Sequence, residues 1–92
     1  MRVVVTKEHI RNGLRCSTKS CPIALAVQEV TEDEVSVDWY SIHVTFPDGS
    51  IDRYILPHDI RVRLSLFDEK GEMEPFEFTV YPIYYPLRDY PR

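Results

Sequence analysis

No run of apolar residues in this chain approaches the ~18 that a membrane-spanning helix needs. The opening residues, MRVVVTKEHIRNG, hold a short apolar run that breaks at Thr6 and Lys7. That is too short for the apolar region of a signal peptide, so a cytoplasmic protein is the expectation. There are only two cysteines, Cys16 and Cys21. In such a setting they are expected to be free thiols, one of them packed into the core, and a disulfide belongs to an oxidising compartment. Internal repeats and linkers are absent. With 92 residues there is room for one domain, which buries a little over ~60% of the surface its unfolded chain exposes. Disorder is not expected over most of the chain, because 43% of the residues are hydrophobic and 28% charged, an ordinary globular mixture.

The net charge is −4, but it is unevenly placed. Residues 1–20 hold Arg2, Lys7, Arg11, Arg15 and Lys19 against Glu8 alone, while residues 21–92 hold six basic and fourteen acidic side chains. The total disfavours non-specific nucleic-acid binding and leaves room for a local basic site for one small anion.

The pattern along the chain predicts an α+β domain. A small antiparallel sheet of about four strands packs against two helices, with a short helix near the N-terminus. RVVVT reads as a first strand. Thr6 then N-caps a helix over Lys7 to Asn12, and Gly13 is expected to close it in a left-handed conformation. Pro22 suits the first position of a second helix, capped by Ser20 or Cys21, with Ile23, Val27 and Val30 on its buried face. Val35, Val37 and Trp39 alternate with polar residues as a half-buried strand should. From Tyr40 the phase flips, so Tyr40, Ile42, Val44 and Phe46 face inward. Either a bulge lies near Trp39 and Tyr40 or two strands meet there. PDGS is a turn with Gly49 at positive φ, and IDRYIL returns as the second arm of a hairpin. Pro57 starts a third helix whose Ile60, Leu64 and Phe67 face the core and which Gly71 ends. PFEFTV is a last strand, stopped or placed at an edge by Pro82.

The stretch RCSTKSCPIALAV, residues 15–27, is where chemistry would gather. A structural zinc site needs four ligands, and only one cysteine pair and three scattered histidines, His9, His43 and His58, are present. No metal and no cofactor are expected. Cys21 at a helix N-terminus could be an activated thiol, yet no base lies in local sequence reach. The C-x5-R spacing of a cysteine phosphatase loop is also missing, since Pro22 and Val27 stand six residues after Cys16 and Cys21. No catalytic set emerges. Two readings remain open for this loop. In one, Arg15, Ser17, Thr18, Lys19, Ser20 and Cys21 form a ligand-binding anion site ahead of a helix N-terminus. In the other, they cap the helix and nothing more.

The C-terminal YPIYYPLRDYPR holds four of the six tyrosines and three of the seven prolines. Tyrosines are favoured at interfaces, and prolines lower the entropy lost on docking. Tyr81, Tyr84, Tyr85 and Tyr90 are therefore the candidate interface, for a homo-oligomer or a target protein. A tail folded over its own sheet is the equal alternative.

EHIRNG (8–13), SCPIALAV (20–27) with Cys16 ahead of it, and LFDEKGEMEPFEF (66–78) together resemble a group of short uncharacterised proteins of bacteriophages and their bacterial hosts. That group shares an HI..G helix start, paired cysteines, a CP.ALA helix and a closing FD…PF.F strand. Residues 31–55 match in pattern only, and the tail from residue 82 lies beyond the group's usual ending. The resemblance implies a small phage-type accessory protein in the host cytoplasm. It would act by binding, either sequestering a small phosphorylated ligand or blocking a host protein, such as a component of host defence. The alternatives are an interaction protein that oligomerises through its Tyr/Pro-rich tail and a cysteine-dependent enzyme.

Overall fold

The computed structural model describes residues 1–83 of the chain. The elements run β1 (Arg2–Val5), α1 (Lys7–Asn12), α2 (Pro22–Thr31), β2 (Glu34–Val37), β3 (Ser41–Thr45), β4 (Ile51–Ile55), α3 (His58–Lys70) and β5 (Phe76–Thr79). The class is α+β, with antiparallel pairing throughout. Among the described residues, the expected sheet of about four strands is in fact five strands in two sheets, β1–β5 and β2–β3–β4. The division follows from connectivity: β2, β3 and β4 are joined by short turns, whereas β1 and β5 meet across nearly the whole chain. After β5, Pro82 makes a single bridge to Tyr54, and the Ile83 N–H donates to the Arg53 carbonyl at 2.6 Å. The chain thus crosses from one sheet to the free edge of β4 in the other. Pro82 fits there, because an edge position needs no N–H from it.

α2 lies at the centre of this arrangement. It packs against α1, β1 and β2, and so holds the two sheets together. Ile23, Ala24, Ala26 and Val27 are fully buried, joined in one core by Val3, Val5, Val35, Ile42, Val44 and Leu56. Val30 was expected on this buried face, but it is 51% exposed because the helix runs past the edge of the core before ending at Thr31. Glu32 closes α2 in a left-handed conformation, and its N–H donates to the Gln28 carbonyl.

α1 starts with a reciprocal cap. The His9 N–H donates to Thr6 Oγ1 at 3.3 Å, and the Thr6 N–H donates to His9 Nδ1 at 2.9 Å. Histidine fills the role that Glu or Gln usually takes in a capping box. Its Nε2 is buried 2.8 Å from Glu29 Oε2, a contact by distance without hydrogen-bond alignment.

Gly13 departs from the expected left-handed cap. Its backbone is extended, φ −73 and ψ 149, a conformation open to any residue. Glycine is required for a different reason: a Cβ there would lie 2.7 Å from Cδ and Cγ of Pro22. The bare backbone lets the loop fold tightly against the first turn of α2. Gly13→Ala is therefore expected to lower stability by about 1–3 kcal/mol, the usual range for overpacking a close contact, as measured by urea unfolding.

Candidate functional site

The loop from Gly13 to Cys21 is held by its own hydrogen bonds. The Leu14 N–H donates to the Ser20 carbonyl at 2.8 Å, and the Cys21 N–H to the Ser17 carbonyl at 3.2 Å. The Ser20 N–H donates to Ser17 Oγ at 3.1 Å. Thr18 accepts from the Val37 N–H at 2.7 Å, which ties the loop to the end of β2. Cys16 adopts φ 55, and its N–H donates to Asp68 Oδ1 at 2.8 Å.

Arg15 reaches across to α3. Its Nε donates to the Asp68 carbonyl at 3.0 Å and its Nη2 to the Glu69 carbonyl. These are end-of-helix carbonyls without partners inside the helix, and a cation beside them is also favoured by the helix dipole. Arg15 acts as a remote cap for α3, together with the left-handed Gly71. Lys19 Nζ lies 3.1 Å from Glu34 Oε2, in an exposed ion pair. The two cations therefore point to different partners and do not converge on the start of α2.

Cys21 is the N-cap of α2, one of the two residues expected there. Its Sγ accepts from the Ala24 N–H at 3.4 Å, and the Ile23 N–H adds to the same sulfur. Pro22 has no N–H to offer. The donors of the first turn thus face a buried thiol and not solvent. Burial pushes the Cys21 thiol pKa up, against the opposing pull of these N–H groups, and the Asp68 carboxylate pushes the same way as burial. An activated thiolate does not fit this position. Cys16 is exposed and Cys21 buried, both as free thiols.

The loop does line a cavity of about 270 Å³, shared with Val37, Trp39, Leu64, Asp38 and Asp68. Among the described residues, two carboxylates and no basic side chain belong to it, so its chemistry is opposite to that of an anion cradle. Among the described residues, no three His, Cys, Asp or Glu side chains gather as a metal site would require.

Sequence reading missed a second cluster. β2 ends at Val37 because the Asp38 side chain takes over the backbone. Its Oδ1 accepts from the N–H groups of Tyr40 at 2.8 Å and Ser41 at 2.7 Å, and the chain reverses into β3. Two strands meeting at a turn is thus the outcome, and no bulge forms. Ser41 Oγ lies 3.1 and 3.2 Å from the two Asp38 oxygens and 2.9 Å from His43 Nε2. The residue types match a hydrolytic triad, but the wiring does not. The same His43 nitrogen faces both Ser41 Oγ and, at 3.4 Å, Asp38 Oδ2. A relay needs the carboxylate on the other ring nitrogen. Ser41 is also only 5% exposed. The cluster locks the turn. Partial burial opposes ionisation of Asp38, but the Tyr40 and Ser41 donors and nearby His43 outweigh it and hold the pKa below its ordinary 3.8.

That turn lifts two aromatics into solvent. Trp39 is 46% and Tyr40 64% exposed, where strand alternation would have turned them inward. They stand beside the outer face of α3, on which Val62 and Leu66 are exposed at i and i+4. Two further cavities flank the turn. One, of about 360 Å³, is lined by Trp39, His58, Arg61, Val62, Ser65 and Leu66. The other, of about 370 Å³, includes Tyr40, Arg53, Ile55, Arg61 and Ile83. Arg61 is a wall of both, and its guanidinium carbon lies 5.4 Å from the Tyr40 ring centroid. The signal for this face was in the sequence, as a second apolar pair on the far side of α3 from Ile60, Leu64 and Phe67. Tyr81, of the expected interface, is 76% exposed, while Tyr84, Tyr85 and Tyr90 lie outside the described residues.

Comparison with family models, with curated proteins and with solved structures finds no match for this chain. No helix among the described residues is long and apolar enough to cross a membrane.

Two outcomes are expected from this geometry. In native protein, iodoacetamide should label Cys16 readily and Cys21 only on unfolding, as read by peptide mass mapping. Asp38→Ala should cost about 1.5–3 kcal/mol at neutral pH, the worth of a hydrogen bond to a charged group, because it removes the acceptor of the Tyr40 and Ser41 N–H groups. Because the folded pKa of Asp38 is the lower one, its contribution is present above the ordinary 3.8 and is lost as pH falls through the folded value. The variant's stability should therefore fall less steeply than wild type below about pH 4 in acid-unfolding curves.

Proposed function

We propose that this chain acts by binding a protein, and that its working surface is the Trp39–Tyr40 turn with the outer face of α3. The observation that carries this reading is the exposure of the single tryptophan and a neighbouring tyrosine between two cavities that share Arg61. Trp, Tyr and Arg are the residues that dominate protein-binding hot spots, and apolar surface gathered in this way marks an interaction site. In the setting implied by the resemblance to phage and bacterial proteins, the partner is a host protein in the cytoplasm and the effect is blockade. The alternative, capture of a phosphorylated small molecule by the 15–21 loop, draws no support from Arg15 and Lys19, which are engaged elsewhere. Binding and not turnover fits Cys21, whose thiol is buried, and Ser41, whose hydroxyl locks a turn.

The test is a paired capture from host extract. Trp39→Ala with Tyr40→Ala should abolish retention of the partner while leaving the melting temperature within a few degrees of wild type. Ser17→Ala with Lys19→Ala should retain it. The opposite result, loss with the loop variant alone, would return the function to the loop.

A further inference from the structure

Resting on that docking reading, we infer that the partner segment is acidic as well as apolar, and that Arg61 with Arg53 receives its carboxylate. The chain carries fifteen acidic and eleven basic side chains, so carboxylates are plentiful. Arg2 pairs with Glu77 and Lys19 with Glu34, but neither Arg53 nor Arg61 has an ion-pair partner among the described residues. Arg61 Nε is in addition buried with no hydrogen-bond partner, an arrangement that costs free energy unless something else completes it. The Tyr40 ring lies against the guanidinium, whose carbon is 5.4 Å from the ring centroid.

The surroundings narrow the occupant. Among the described residues, neither cavity that Arg61 lines includes an acidic side chain. The carboxylates nearest in sequence, Asp52 beside Arg53 and Asp59 two residues before Arg61, form no ion pair with them among the described residues, and Asp38 is occupied by the backbone of its own turn and by Ser41. Arg53 extends the basic character along β4, opposite His43 in the strand register and between the exposed Ile51 and Ile55. A positive strip with apolar flanks therefore sits on a chain whose net charge is −4. An Asp or Glu side chain between two large apolar neighbours complements it: the carboxylate can take a two-pronged contact from a guanidinium, and the flanking groups can enter the two cavities. The net charge also argues against a polyanion as the occupant, since every added phosphate would meet the acidic remainder of the surface.

Selection of displayed random peptides on the immobilised chain tests this. Enriched peptides should carry Asp or Glu beside Leu, Phe or similar residues. Arg61→Gln should weaken their binding by about tenfold or more, as expected for a charge-assisted contact, with Trp39 fluorescence as the readout. Arg53→Gln, on an exposed strand face where folding is not at stake, should weaken it in the same direction. Enriched peptides without acidic residues, bound equally by wild type and both arginine variants but lost with Trp39→Ala and Tyr40→Ala, would overturn the carboxylate assignment and leave the docking surface standing. Peptides that bind the aromatic double variant as well as wild type would overturn both. Tight binding of a labelled oligothymidylate, lost on Arg61→Gln, would reassign the strip to nucleic acid.

Discussion

The approach of the Pro22 ring to the bare backbone of Gly13 determines where α2 begins, and much of the molecule is placed relative to α2. Proline at the first helical position brings a preset φ and needs no partner for a missing N–H. Glycine nine residues earlier leaves room for that ring. Between them the chain has to close a small loop, and its serine hydroxyl and carbonyls do so together with bonds to Val37 and Asp68 outside it. With the start of α2 set, Ile23, Ala24 and Val27 meet strands from both sheets. The small side chains of Ala24 and Ala26 keep that approach close.

The same loop explains why α3 stops where it does. Arg15 reaches the carbonyls of Asp68 and Glu69, and Asp68 in return accepts from the Cys16 N–H. A loop that looks in sequence like a phosphate cradle thus has its donors and cations committed to structure. Hydrogen bonds to a charged group are worth about 1.5–3 kcal/mol, enough to make a helix end preferable to dilute solution anions as their target.

Much of this was legible in the sequence for local reasons. Thr6, Pro22, Pro57, Gly49 and Gly71 each act through their own backbone or the adjacent turn, and each sits in its expected element. Trp39 was misplaced because Val35, Val37 and Trp39 share a parity, and parity assumes that the strand continues. Asp38 ends it by accepting two successive N–H groups. An Asp followed three residues later by Ser was the available hint of such a turn. The split into two sheets and the reach of Arg15 to α3 were not legible. Both depend on contacts between segments more than fifty residues apart, which no local pattern encodes.

Charge shows the same limit in another form. Along the chain, basic residues cluster in the first twenty positions, which drew attention to the 15–21 loop. In the fold those charges are dispersed: Arg2 goes to Glu77, Lys19 to Glu34 and Arg15 to the end of α3. The exposed pairs contribute little to stability, but they do remove those cations from contention as a site. Two cations that face the cavities beside the turn, Arg53 and Arg61, come from the acidic segment of the sequence, where neither stood out. Electrostatic interactions in salt solution act over about 8–10 Å, so what a charge recognises depends on its neighbours in space. A strand and a helix separated by the Leu56–Pro57 corner bring two unpaired arginines and two exposed aromatics to the same face. It is this convergence, more than the linear clustering, that marks where a partner would dock.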